Sequence, residues 1–133
     1  MNSLDFVSKS SREPTIERAL ESAGVSSKIR IPNPQELDGY LSKHPDMLAL
    51  VVEGCRRASE QFDRDSELSL EVYHDPEIPD EYIALYVRME RYDISLLDSL
   101  DAVMEPLEPA FADISGWFHV STDFRPKGGL NAV

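Results

Sequence analysis

Ser69–Arg88 reads SLEVYHDPEIPDEYIALYVR, and the rhythm at its two ends decides the fold. Leu68, Leu70 and Val72 alternate with Ser69, Glu71 and Tyr73. After the break, Ile83, Leu85, Val87 and Met89 alternate with Tyr82, Ala84, Tyr86, Arg88 and Glu90. A side-chain period of two is that of a strand with one apolar face. Asp75–Glu81 between them holds two prolines and four acids. Asp before Pro opens turns, and a proline fixes its own φ, so the pair reads as an antiparallel hairpin with a solvated acidic tip.

Working outward, Gly116–Thr122 (GWFHVST) repeats the alternation, with Phe118 and Val120 facing a core and Trp117 and His119 facing away. Ile94–Glu105 returns to helical spacing through Leu97, Leu100, Val103 and Met104, with Asp93 or Ser95 as cap and Pro106 and Pro109 as stops. Pro45–Phe62 is the strongest helix. Leu48, Val51, Val52, Cys55, Ala58 and Phe62 form its stripe, and Gly54 within it marks close packing against a neighbour. Pro14–Ala23 and Gln35–Ser42 read as short helices, and Val25–Pro34 as a linker. The expected class is α+β: a small antiparallel or mixed three-stranded sheet with helices mainly on one face, in the order ααα-ββ-α-β. Residues 1–30 are expected to be an extension with one short helix, 31–126 a single domain, and 127–133 a flexible tail.

Composition narrows the chemistry. A chain of 133 residues suits one domain, long enough to bury roughly two thirds of its unfolded surface. Cys55 is the sole cysteine, so neither an intrachain disulfide nor a zinc–thiolate set can form; placed on an apolar stripe, it reads as a small core residue. The longest apolar run, Met47–Val52, has six residues, whereas a bilayer crossing takes about 20. With no signal-peptide core at the N-terminus, the expectation is a cytoplasmic protein without a membrane partner.

The net charge of −12 is concentrated. Residues 1–59 carry eight acids and eight bases, and residues 111–133 two of each. Residues 60–110 carry fifteen acids against three bases, Arg64, Arg88 and Arg91, which accounts for the whole excess. Such a field repels phosphate backbones and attracts basic surfaces, so direct nucleic-acid binding is disfavoured.

The hairpin motif LEVY-DPE with EY--LYVR, followed by GWFHVSTDFRP (Gly116–Pro126), resembles a group of small bacterial proteins over residues 31–126. That resemblance implies no activity, cofactor or catalytic residue.

Two functional readings follow from the strands. In a regular sheet Glu71, Tyr73, Tyr82, Tyr86, Arg88, Trp117 and His119 share the face away from the core, and they include four of the eleven aromatics and the only tryptophan. Tyr, Trp and Arg combine large contact area with a polar handle, the residue types that anchor protein interfaces. The leading expectation is a non-enzymatic, cofactor-free interaction module, an accessory or antitoxin-like subunit. It would use this face to bind a basic protein, or itself as a homodimer. The alternative for the face is cover by the first helices or by residues 106–115. The runner-up function is a small metal-dependent hydrolase using His74, Asp75, His119 and Asp123. Parity opposes it, because His74 is in phase with Leu70 and Val72 while His119 is out of phase with Phe118 and Val120. No phosphate-cradling Gly-rich loop, Gly-x-Ser-x-Gly or His-Glu-x-x-His is present.

Overall fold

A computed structural model describes residues 15–62 and 65–125. Its four strands are β1 (Ile29–Arg30), β2 (Glu67–His74), β3 (Glu81–Arg88) and β4 (Phe118–Ser121), lying side by side in that order. β2 and β3 form the expected antiparallel hairpin, while β1 runs parallel to β2 and β4 parallel to β3. Among the described residues four α-helices accompany them: α1 (Ile16–Ser22), α2 (Pro34–Lys43), α3 (Leu48–Gln61) and α4 (Ser95–Met104). The class is therefore α+β, but the sheet is mixed and four-stranded rather than three-stranded. β1 lies in the stretch read as a linker. Two residues carry no periodicity, and this strand exists because Ile29 pairs with Leu68 and buries its side chain.

Local signals explain the helix ends. Thr15 Oγ1 accepts from the Arg18 amide at 3.2 Å and caps α1, and Gly24 takes the positive φ (80°) that terminates it. Asn33 Oδ1 accepts from the Glu36 amide at 3.1 Å, and Pro34 occupies the first position of α2, where a missing N–H costs nothing. Asp93 Oδ1 accepts from the Ser95 amide at 2.9 Å at the start of α4. The expected boundary at residue 30 falls within one core: Ile16, Leu20, Val25 and Ile29 belong to the same buried cluster as Leu70, Ile83 and Phe118. The expected tail, 127–133, lies outside the described residues.

One face of the sheet holds the core. Leu68, Leu70, Val72, Ile83, Leu85, Val87, Phe118 and Val120 all point to it, as their parity requires, and all are at most 9% exposed. Helix α3 contributes Leu50, Val51, Gly54, Cys55 and Ala58, a stripe rotated slightly from the expected one, with Leu48 and Val52 half-buried. Burial pushes the Cys55 thiol well above its ordinary pKa, so it is a core residue and not a nucleophile at neutral pH. Helix α4 departs further. Leu96, Leu100 and Val103 are buried, whereas Leu97, placed on the expected stripe, is 55% exposed. Among the described residues no helix is long and apolar enough to cross a membrane.

Gly54 sets the distance between α3 and β4. A Cβ there would lie 2.5 Å from Phe118 Cε2 and 2.7 Å from its Cζ. Alanine in place of a mid-helix glycine gains about 0.5–1 kcal/mol of intrinsic helix stability, while overpacking a tight contact costs about 1–3 kcal/mol. We expect Gly54→Ala to lower unfolding free energy by about 1–2 kcal/mol net in a urea titration, with part of the loss recovered by Phe118→Leu in the same chain. A stabilised Gly54→Ala protein would contradict this packing.

Candidate functional site

The side of the sheet opposite the core carries the expected ring-lined face. Register places Tyr73 opposite Tyr82, Glu71 opposite Ala84 and His119 beside Ala84, with Ser69, Tyr86 and Ser121 in one row. Tyr73 and Tyr82 pack as a ring pair with centroids 4.9 Å apart. The three tyrosines are half-buried by their neighbours, while His119 is exposed and Trp117 is 48% exposed. The helix side chains that pack on the sheet do so through the opposite, apolar face. The 3-10 segment Glu105–Asp113 reaches the ring-lined face at its β4 rim, where Phe111 stacks on Trp117 at 4.5 Å.

A guanidinium lies at the end of this face opposite the hairpin tip. The Arg88 side chain is 5% exposed, yet it sits on the side without helices. Its Nε donates to Asp123 Oδ1 at 3.1 Å and its Nη2 to Asp123 Oδ2 at 2.7 Å, a bidentate pair. Nη2 also reaches Glu71 Oε2 at 3.3 Å, and that carboxylate accepts from Ser69 Oγ at 2.7 Å. The Tyr86 ring completes the surround, its centroid 5.2 Å from the guanidinium carbon. Hydrogen bonding to Asp123 raises the Arg88 pKa above its already high ordinary value. Burial would push Asp123 up, but hydrogen bonds from Arg88 and from the Arg125 amide, together with the guanidinium charge, hold it below the usual carboxylate range. The Tyr86 phenol is pushed up to about 12, mainly by burial. Two carboxylates occupy the Nε–Nη2 edge of Arg88, so that edge offers no free donor pair to a phosphate, and the three charged groups together stay negative.

Asp123 also shapes the chain after β4. Its Oδ1 accepts from the Arg125 amide at 3.1 Å, and Thr122 Oγ1 accepts from the Phe124 amide at 3.0 Å. Between them Phe124 adopts φ 59°, an uncommon conformation for a residue with a side chain. Its exposed ring meets Tyr92 edge-on at 5.2 Å.

The residues of the enzyme alternative do not converge. His74 projects to the helix side, where Nε2 contacts Glu36 of α2 and Nδ1 lies 3.3 Å from Glu81. His119 projects from the other face, and Asp123 is committed to Arg88. Asp75 folds back as a turn opener, its Oδ1 accepting from the Glu77 amide at 2.8 Å. Among the described residues no group of three His, Cys, Asp or Glu side chains is placed to hold a metal ion.

Sequence reasoning missed a cluster 69 residues apart. Ser115 donates through its amide to Asp46 Oδ2 at 2.9 Å and through Oγ to Asp46 Oδ1 at 2.8 Å, and its Oγ lies 2.9 Å from His44 Nδ1. The Ser115 bond leads the effects that hold Asp46 below the usual carboxylate range. The residue types are those of a hydrolytic triad, but the proton assignment is not. Ser115 gives its hydroxyl proton to Asp46, leaving His44 Nδ1 to donate to Oγ, and the amide that could steady an oxyanion is also committed. The cluster is a clasp holding the entry to β4 against the start of α3. Beside it, Tyr40 Oη accepts from the Trp117 amide at 3.1 Å.

The Arg88–Asp123 pair generates a pH signature. A carboxyl with a depressed native pKa contributes stability above its unfolded value, about 4, and that contribution is lost as pH falls toward the native value. We expect Asp123→Asn to cost about 1–3 kcal/mol at pH 7, and the gap to wild type to narrow below about pH 4, read from urea unfolding across pH. A gap unchanged down to about pH 2.5 would contradict the pairing.

Comparison of the chain with protein-family models, curated proteins and solved structures finds no match.

Proposed function

We propose that this chain is a non-enzymatic docking module, an accessory or antitoxin-like subunit, that binds a basic protein partner through the ring-lined sheet face. The observation that carries the reading is the pairing of contact-rich rings with saturated charge on the side away from the helix-packed core. Tyr73, Tyr82, Tyr86 and Trp117 supply area, and Arg88 is locked by Glu71 and Asp123 so that the surface keeps a net negative character. Rings held in place lose little conformational freedom on binding, which favours affinity per unit of contact. The acidic middle of the sequence adds long-range attraction, speeding encounter with a positive surface at low salt. Self-association through the same face is the weaker form of this reading, because two copies each of net charge −12 repel.

The test is a comparison of retained partners. Wild type immobilised at low salt should retain a protein of high isoelectric point, identified by mass spectrometry and then purified for titration. Tyr82→Ala with Trp117→Ala, still folded by circular dichroism, should weaken that titration at least 10-fold, as loss of interface anchors does. An unchanged affinity, or a retained partner of acidic character, would overturn the reading.

A further inference from the structure

At the β4 rim of the same face the surface turns into a groove of about 570 Å³. Leu97, Leu100, Met104, Phe111 and Trp117 line it together with Asp101 and Glu108, and His119, Val120 and Ser121 of β4 complete the wall. We infer that this groove seats a basic amphipathic helix of the partner, a conclusion that rests on the docking-module reading and gives it a binding mode.

Three observations carry the inference. The apolar content of α4 exceeds what the core uses. Leu96, Leu100 and Val103 are buried, yet Leu97 is 55% exposed and lines the groove. From Leu97 to Met104 the α4 side of the groove runs about 10 Å along the helix axis, the length of about two turns of a partner helix. Second, the charge is one-sided. Residues 92–124 contain seven acids, Asp93, Asp98, Asp101, Glu105, Glu108, Asp113 and Asp123, and not one lysine or arginine. Among the described residues Asp101 and Glu108 take part in none of the ion pairs, which instead involve Glu36, Glu53, Glu60, Glu67, Glu71, Glu81 and Asp123. A lining of Leu, Met and aromatic side chains with carboxylates outside the ion pairs among them complements a helix with leucines on one side and lysines or arginines beside them.

Third, the geometry favours a helix over an added strand. β4 is the last strand of the sheet, and strand addition needs an accessible backbone edge. Ile83 donates to the Trp117 carbonyl, so by the alternation of a parallel ladder the backbone of Phe118 and Val120 points away from β3. Those two residues are 0% and 1% exposed, and the Val120 amide is already directed at Met104 Sδ at 3.4 Å. The edge is closed, and what remains open is a trough for side chains.

Trp117, the only tryptophan, reports occupancy through its own emission. The probes are three synthetic 18-residue peptides: leucine and lysine with leucines at i, i+3, i+4 and i+7 spacing, the same composition scrambled so that no helical stripe forms, and a lysine–glutamine peptide of equal charge. The striped peptide should blue-shift Trp117, gain helicity, and bind at least 10-fold tighter than either control. Leu97→Asp, a change at an exposed position, should remove at least 10-fold of that affinity, and Asp101→Asn with Glu108→Gln should weaken binding several-fold and flatten its salt dependence. Equal binding of all three peptides, or indifference to Leu97→Asp, overturns the groove as a helix seat. If Leu97→Asp is silent while Tyr82→Ala weakens a purified basic partner, the sheet-face reading stands and only the groove fails; if neither variant affects either ligand, both fall.

Discussion

Arg88 is a full positive charge almost withdrawn from water on the side of the sheet away from the helix-packed core, and much of the molecule's outer surface is organised around it. A guanidinium in that position is tolerable only with its charge paired. Asp123 takes Nε and Nη2, and Glu71 shares Nη2. Asp123 is delivered by the parallel register of β4 on β3: Tyr86 lies beside Ser121, and Arg88 and Asp123 each follow two residues later on the same face. To deliver Glu71, β2 must keep the register that puts Glu71 and Arg88 on one surface. The pair thus joins β2, β3 and the end of β4 across the outer face while the apolar side chains join them across the inner one. A sheet surface carrying three charged groups is a poor seat for an apolar helix, and the described α-helices pack their apolar side chains against the other side.

The inner face depends on a second constraint of different character. Phe118 reaches α3 where Gly54 has no side chain, so the edge strand and the longest helix approach closely. Ser115, Asp46 and Tyr40 then fix the entry to β4 from the same direction. With both ends of this short strand held, Trp117 is presented at a defined place, backed by Phe111 and not free to swing. A rigid, half-exposed indole beside unpaired carboxylates is the feature on which sheet face and groove converge.

Much of this was legible in the residues because strands and helices sort side chains by counting. The alternation across Leu68–Val72 and Ile83–Val87 gave the hairpin, its register sense and the membership of both faces, and it separated His74 from His119. Gly54 was readable as a close approach because glycine in the middle of a strong helical pattern has few other reasons to be there. What escaped was whatever depends on partners far along the chain. β1 is two residues long and owes its existence to Leu68 and Ser69, not to its own pattern. The Arg88–Asp123 pair spans 35 residues and the Ser115–Asp46 clasp 69, and neither spacing follows a local period. On α4 the helical run Leu97, Leu100, Val103 and Met104 suggested a core stripe, whereas tertiary packing kept Leu100 and Val103 and took Leu96 in place of Leu97. The mismatch left Leu97 outside, where it lines the groove.

The central claim is that the ring-lined face is accessible in the free protein and is what a basic partner covers. Hydroxyl-radical footprinting with mass spectrometry reads this directly, ring by ring. The account predicts that Trp117 and Tyr82 are oxidised readily in the free protein and become several-fold less reactive when the partner is saturating, while Ile78 at the hairpin tip is unchanged. Rings already protected in the free chain, or protection confined to the hairpin tip in the complex, would contradict it.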